Sequence, residues 1–292
     1  YVLNVKRWSF DLGVKADIPV TSGGAGYENS ATHQYVYPSL KISYDFRRVP
    51  LNLWLGIDGG ERMNSYTSIV DDFRHYGISV SSLASHATLC NTVERVKASF
   101  GLKGRIRSVF GYEAFVSYAE RSNSVLERVL LKDLEFDGVV MKLPVYDLAF
   151  SPSGLLTAGL DARYSDDWGR VDLGLRYNGL FVRDEALPYI APAALTGDFS
   201  VQFNIIRRIF VGVGCEFSTV RNGRIAQDSG SVVSYKIPGF GEPYFSAEFQ
   251  YSRQLAFWLR GSRLTGQTIQ RTPLYAERGP ELTAGLRLSF GK

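Results

Sequence analysis

Apolar and polar residues alternate with a period of two through twelve separate stretches of the chain, the pattern of a β-strand with one oily and one polar face. WSFDLGVKADI (8–18) sets Trp8, Phe10, Leu12, Val14, Ala16 and Ile18 against Ser9, Asp11, Gly13, Lys15 and Asp17. The same rhythm runs through PSLKISYDF (38–46), LNLWLGID (51–58), VKASFGLK (96–103), FGYEAFVSY (110–118) and LTAGLDARY (156–164). It continues in RVDLGLRYN (170–178), DFSVQFNI (198–205), FVGVGCEFST (210–219), FSAEFQYS (245–252), LAFWLR (255–260) and LTAGLRLSF (282–290). These predict strands of mostly eight to eleven residues. Soluble strands average about five to six residues, whereas tilted membrane strands need about nine to eleven.

The links between the stretches alternate in length. RRVP (47–50), GRIR (104–107), SDDW (165–168), IRR (206–208) and SRQ (252–254) are short, while 19–37, 59–95, 119–155, 179–197, 220–244 and 261–281 are long. Strict short/long alternation predicts an up-and-down barrel with periplasmic turns and outer loops. Twelve strands would place both termini in the periplasm, and the last strand would pair with the first to leave no open edge in lipid. The GVVMKLPVYDLAF stretch (138–150), with a partner near 124–131, would raise the count to fourteen. The fold class expected is all-β, an antiparallel transmembrane β-barrel forming a single domain over 1–292.

Collected over the strands, the apolar faces carry no charge, as a lipid-facing surface requires. A soluble β-sandwich or lipocalin-like barrel would show the same alternation with its oily face turned inward. Strand length, the loop rhythm and aromatics near strand ends (Trp8, Tyr44, Phe46, Tyr164, Trp168, Tyr177, Tyr251, Phe290) favour the membrane. Abundant Gly (29), Tyr (17) and Phe (18) suit strands and turns. Net charge is only +4, from 33 basic and 29 acidic residues with no basic run, which argues against nucleic acid as a partner. No run reaches the roughly 18 apolar residues of a membrane helix, which leaves a barrel untouched. The chain begins at Tyr1 with neither Met nor secretory signal, the expectation for a mature or trimmed product.

The stretch YVYPSLKISYDFRRVPLNLWLGIDGG (35–60), with NSY (64–66), FGLKGRI (100–106) and the SF near the end, resembles the barrel region of Bacteroidetes-type, TonB-dependent-receptor-like outer-membrane proteins. The resemblance implies the barrel fold. Such receptors also carry a plug domain and about twenty-two strands, neither of which fits in this chain, so energised uptake is not carried over to these residues. Phe290 followed by Gly291 and Lys292 departs from the terminal aromatic of such barrels.

Candidate chemistry is sparse. His33, His75 and His86 fall in long connections beside Ser85, Asp71 and Asp72, without the ligand spacing of a metal site or a recognisable hydrolase arrangement. The glycines of GIDGG (56–60) and SGGAG (22–26) lack the strand-to-helix context of a phosphate loop. Cys90 and Cys215 form a disulfide only if they meet in space. No catalytic residue, metal or cofactor is expected.

The polar faces say more. Their acids are Asp11, Asp17, Asp45, Asp58, Glu113, Asp161, Asp172, Asp198, Glu216 and Glu248. Their bases are Lys15, Lys41, Lys97, Lys103, Arg163, Arg170, Arg176, Arg260 and Arg287, and Trp54, Phe115, Phe210 and Trp258 accompany them. These residues are expected to line a lumen. Their near balance of sign predicts cross-lumen ion pairs and weak charge selectivity. The aromatics would either fill space or offer a stacking path to a solute. Two functions follow: a passive channel or receptor-like transporter for a small solute of unknown identity, or a plugged accessory barrel that binds outer-membrane proteins or lipoproteins. Outer-membrane lipid is the partner in both. Membranes of expressing cells should keep the chain through a carbonate wash and release it only into detergent; a monodisperse, detergent-free species would overturn the lipid-facing reading.

Overall fold

A strand long enough to cross a bilayer must bond both its backbone edges to neighbours, and sequential strands joined by short turns supply those neighbours most directly. The structure, a computed structural model, describes residues 1–17, 35–62, 64, 91–252, 254–277 and 279–289. Its strands are β1 (Val2–Val5), β2 (Trp8–Asp17), β3 (Tyr35–Asp45), β4 (Asn52–Arg62), β5 (Thr92–Ile106), β6 (Phe110–Phe136), β7 (Val139–Asp166), β8 (Gly169–Val182) and β9 (Leu195–Ile206). They continue as β10 (Ile209–Ser218), β11 (Arg221–Gln227), β12 (Val232–Ile237), β13 (Phe240–Gln250), β14 (Leu255–Ser262), β15 (Ile269–Thr272), β16 (Tyr275–Glu277) and β17 (Glu281–Leu288). The wall is a single up-and-down antiparallel sheet in the order β1 to β10, then β13, β14 and β17. Each of the twelve alternating stretches lies on a wall strand.

Apolar side chains of the wall point to one face and stay exposed. Leu12, Leu55, Phe100, Val116, Leu160, Phe199, Val213, Phe257 and Leu286 are each between 37% and 62% accessible. So broad an apolar belt is foreign to soluble monomers. The buried cluster lies elsewhere, in Val129, Leu148, Ile190, Ile225 and Ile237, all from the long connections. A soluble sandwich or lipocalin-like barrel would have buried the belt instead. Aromatics gather beside the short turns: Trp8 meets Tyr44 at 4.8 Å, Tyr44 meets Phe46 at 4.9 Å, and Tyr164 meets Trp168 at 5.9 Å between ring centres. Phe290 lies outside the described residues.

Three features were not legible beforehand. The 119–155 segment is neither a loop nor an extra pair of wall strands. It extends β6 and β7 into one hairpin whose register runs from Phe110↔Tyr164 to Phe136↔Val139. Asp137 and Gly138 turn it with φ of 51° and 76°, the two left-handed positions of a tight hairpin turn. A register shift between Arg121 and Ser124, with Asn123 at φ 53°, bends the hairpin where it leaves the wall. The expected strands near 124–131 and 138–150 do pair, as continuations of wall strands.

Second, β11 and β12 form a hairpin inside the expected 220–244 loop, and β11 runs parallel to the hairpin edge through Ala226↔Leu130. Third, β1 pairs with β2 from Val2↔Asp11 to Val5↔Trp8, and Tyr1 bonds to Leu12 opposite it. The expected ladder between the last strand and the first is absent among the described residues, because β1 already holds that edge of β2.

The two faces should tolerate charge differently. Leu55→Arg, on the apolar face, should cost about 2–4 kcal/mol near mid-bilayer and lower the folded protein recovered from membranes. Ser99→Arg, on the polar face opposite Gly56, should leave recovery near that of the parent.

Candidate functional site

Strand register collects the polar residues on one face. Lys15, Lys41, Trp54, Asp58, Lys97, Glu113, Asp161, Arg163, Asp172, Arg176, Glu216, Glu248, Trp258, Arg260 and Arg287 all fall on it. The linking pairs are Asp11↔Lys41, Lys41↔Gly56, Asp58↔Lys97, Lys103↔Glu113, Glu113↔Asp161, Arg163↔Asp172, Gly174↔Asp198, Asp198↔Glu216, Phe210↔Glu248, Glu248↔Trp258 and Ala256↔Arg287. This face is concave, since one cavity of about 960 Å³ draws lining from Asp45 on β3 through to Asp198 on β9.

Opposite charges on this face pair along the wall rather than across it. Lys15 Nζ lies 2.7 Å from Asp58, reaching past β3, and Arg176 lies 2.6 Å from Asp161. Asp172 takes Arg163 at 2.6 Å and Arg170 at 2.5 Å, and Arg287 reaches Glu248 past β14. Neighbouring strands are about 4.8 Å apart, so a long side chain finds a partner one or two strands away before it spans an interior. Among the described residues these ties along the wall stand in place of the expected cross-lumen bridges.

The aromatics behave likewise. Trp54 lies over Gly101, Phe115 over Gly159, Tyr244 over Gly214 and Trp258 over Gly285, each glycine being the aromatic's cross-strand partner. A Cβ on these glycines would come within 2.3–2.6 Å of the ring atoms. Glycine thus lets each ring lie against the wall. Lys41 stands 5.3 Å over Trp54, Arg176 5.4 Å over Phe115 and Arg260 4.5 Å over Tyr244.

A cap built from the long connections covers part of this face. Ile190 donates its N–H to Glu127 O at 2.8 Å, while Arg221 binds Ala191 O at 2.9 Å, Glu127 at 2.7 Å and Arg271 O at 2.9 Å. Tyr146 donates to Pro273 O at 2.7 Å; burial, with Tyr235 and Tyr275 nearby, raises its hydroxyl above the ordinary range and keeps it a donor. Arg271 bonds Glu242 at 2.6 Å and Glu277 at 3.1 Å, with Glu216 at 3.5 Å. Burial pulls its pKa down, but those carboxylates outweigh burial and hold it above the ordinary value. Between cap and wall lies a cavity of about 610 Å³ lined by Asp161, Arg176, Asp198, Glu216, Tyr244, Arg260 and Arg271.

Arg221, Glu242, Arg271 and Glu277 sit in the long connections or at a strand root, where no periodic signal in the sequence singles out a position. His33, His75, His86, Asp71, Asp72, Ser85 and Cys90 lie outside the described residues, and Cys215 is on β10 as a free thiol. Among the described residues no group of three or more His, Cys, Asp or Glu is arranged to hold a metal ion. Gly285→Ala should displace the Trp258 ring at a cost of about 1–3 kcal/mol. Acrylamide quenching of the tryptophan fluorescence should rise while the chain stays folded.

No family model and no curated protein matches the chain. Solved structures do. The copper transporter OprC matches at 16% identity and TM-score 0.62, over 98% of this chain and 46% of that one. The siderophore receptor PirA from Acinetobacter baumannii matches at 12% and 0.63, over 98% and 44%. The FrpB iron transporter from Neisseria meningitidis (F3-3 variant) matches at 10% and 0.63, over 99% and 44%. The chain spans less than half the length of these structures. They are TonB-dependent receptors, and at such identities the likeness is one of fold: the chain has the β-barrel architecture of these receptors.

Proposed function

We propose that the chain forms wall and cap of a receptor-like transporter in the outer membrane, short turns toward the periplasm, and that a small solute moves along its concave face. The fifteen polar-face residues named above would line that path. The observation that carries this reading is the cavity between cap and wall, where four arginines and four carboxylates meet the rings of Phe240 and Tyr244. Paired charges lying flat along a wall offer successive weak contacts of both signs, which suits passage better than capture. None of the groups needs to change chemically, which fits passive movement down a gradient.

The similar structures are named for copper, siderophores and iron, so copper and ferric siderophores are the first solutes to try. Cells lacking the chain should lose several-fold of the uptake of one solute in such a panel. Arg260→Ala with Tyr244→Ala should lower that uptake at unchanged protein level.

A second reading has its own observation. At the tip of the β6–β7 hairpin, Phe136 (73% exposed), Val139 (61%) and Met141 (48%) share an uncovered apolar face. An accessory barrel that holds a partner protein by this tip would co-purify with it in fixed ratio, and uptake across the panel would not change.

A further inference from the structure

The long connection between β14 and β17 differs from the rest of the cap in how it is held. Among the described residues β15 and β16 pair only with each other, in a two-stranded sheet separate from the wall. β11, by contrast, joins the hairpin edge through backbone pairing. The 263–277 segment therefore has no backbone ladder to any other part of the chain among the described residues. Side chains fix it. At its root, Arg263 bonds Glu277 at 3.0 Å and Glu281 at 2.6 Å. At its far end, Arg271 reaches the concave wall at Glu242 on β13 and Glu216 on β10, and its guanidinium lies 4.8 Å over the Phe240 ring.

With the segment held down, Ile269, Thr272 and Pro273 are buried, at 1%, 5% and under 2% exposure. The Arg271 side chain remains 34% accessible against 9% for Glu242, so solvent reaches the latch from the arginine side.

We infer that residues 263–277 form a releasable strap over the concave face, and that Arg271 is its latch to Glu242 and Glu216. The inference rests on the transport reading for its purpose, because a strap matters only where something passes beneath it. Once the latch is broken, Arg221 on Arg271 O and Tyr146 on Pro273 O still hold the segment by single hydrogen bonds; exchange of these for water lets it swing on its Arg263 root without parting one wall strand from the next. The same movement would open the cavity that Arg271 helps to line. The β6–β7 hairpin, tied to β11 by main-chain bonds, would stay in place.

Accessibility of Thr272 tests this without relying on transport. In isolated membranes carrying the Cys90→Ser, Cys215→Ser chain, Thr272→Cys should react slowly with a maleimide, relative to Val233→Cys at an exposed site of β12. Adding Arg271→Ala should raise the Thr272→Cys rate at least tenfold while the Val233→Cys rate holds. Arg271→Glu should do the same, and Arg271→Glu combined with Glu242→Arg should return it toward the parent rate. Fast labelling before Arg271 is changed, an unchanged rate after it, or failure of the reversed pair to restore protection would each overturn the latch. If the strap opens as expected and solute uptake in the Arg271 variants matches the parent, the latch stands and the transport reading fails.

Discussion

A peptide group facing hydrocarbon has no water to bond, and this constraint sets the form of everything else in the chain. It requires each wall strand to lie between two partners, which favours antiparallel neighbours joined by short turns. It also divides the side chains, since every second residue must meet lipid and the rest must not. The belt from Leu12 to Leu286 and the charged face behind it are two consequences of one backbone requirement. Exposure of the belt is therefore what stability demands here, the reverse of the rule for a soluble core.

With the membrane wall committed to backbone bonding, ordinary hydrophobic packing moves to the long connections. Val129, Leu148, Ile190, Ile225 and Ile237 make a small core from three separate connections, and Arg221 ties them to the 263–277 segment. Two organisations thus meet in one chain. The wall is cohesive through backbone ladders, costly to open in lipid unless another strand takes the vacated edge. The cap is cohesive through packing and ion pairs. Movement is cheapest in the second part.

Much of the wall was legible because period-two alternation and lipid exposure are the same constraint read in two ways. Over the described residues all twelve alternating stretches fall on wall strands, and register brings their charged positions to one face without a slip. What escaped the sequence was long-range in origin. The 124–131 and 138–150 stretches looked like separate strands because their alternation lapses near the bend at Asn123; the pairing continues through the bend regardless. Charges were expected to reach across the interior, yet Lys15 finds Asp58 and Arg176 finds Asp161 a strand or two away. Arg221, Glu242, Arg271 and Glu277 carry no local pattern, because their roles exist only once four distant connections have folded together.

The short strand β1 has a geometric consequence. Among the described residues thirteen strands of alternating direction form the wall, so its two outermost members, β1 and β17, point the same way. Joining them directly would set two like-directed neighbours side by side, and a rotated copy of the arc about the membrane normal would meet the same mismatch. Parity leaves two ways to complete an alternating cylinder around this arc: an odd number of intervening strands, or the departure of β1 so that β17 can take its place against β2.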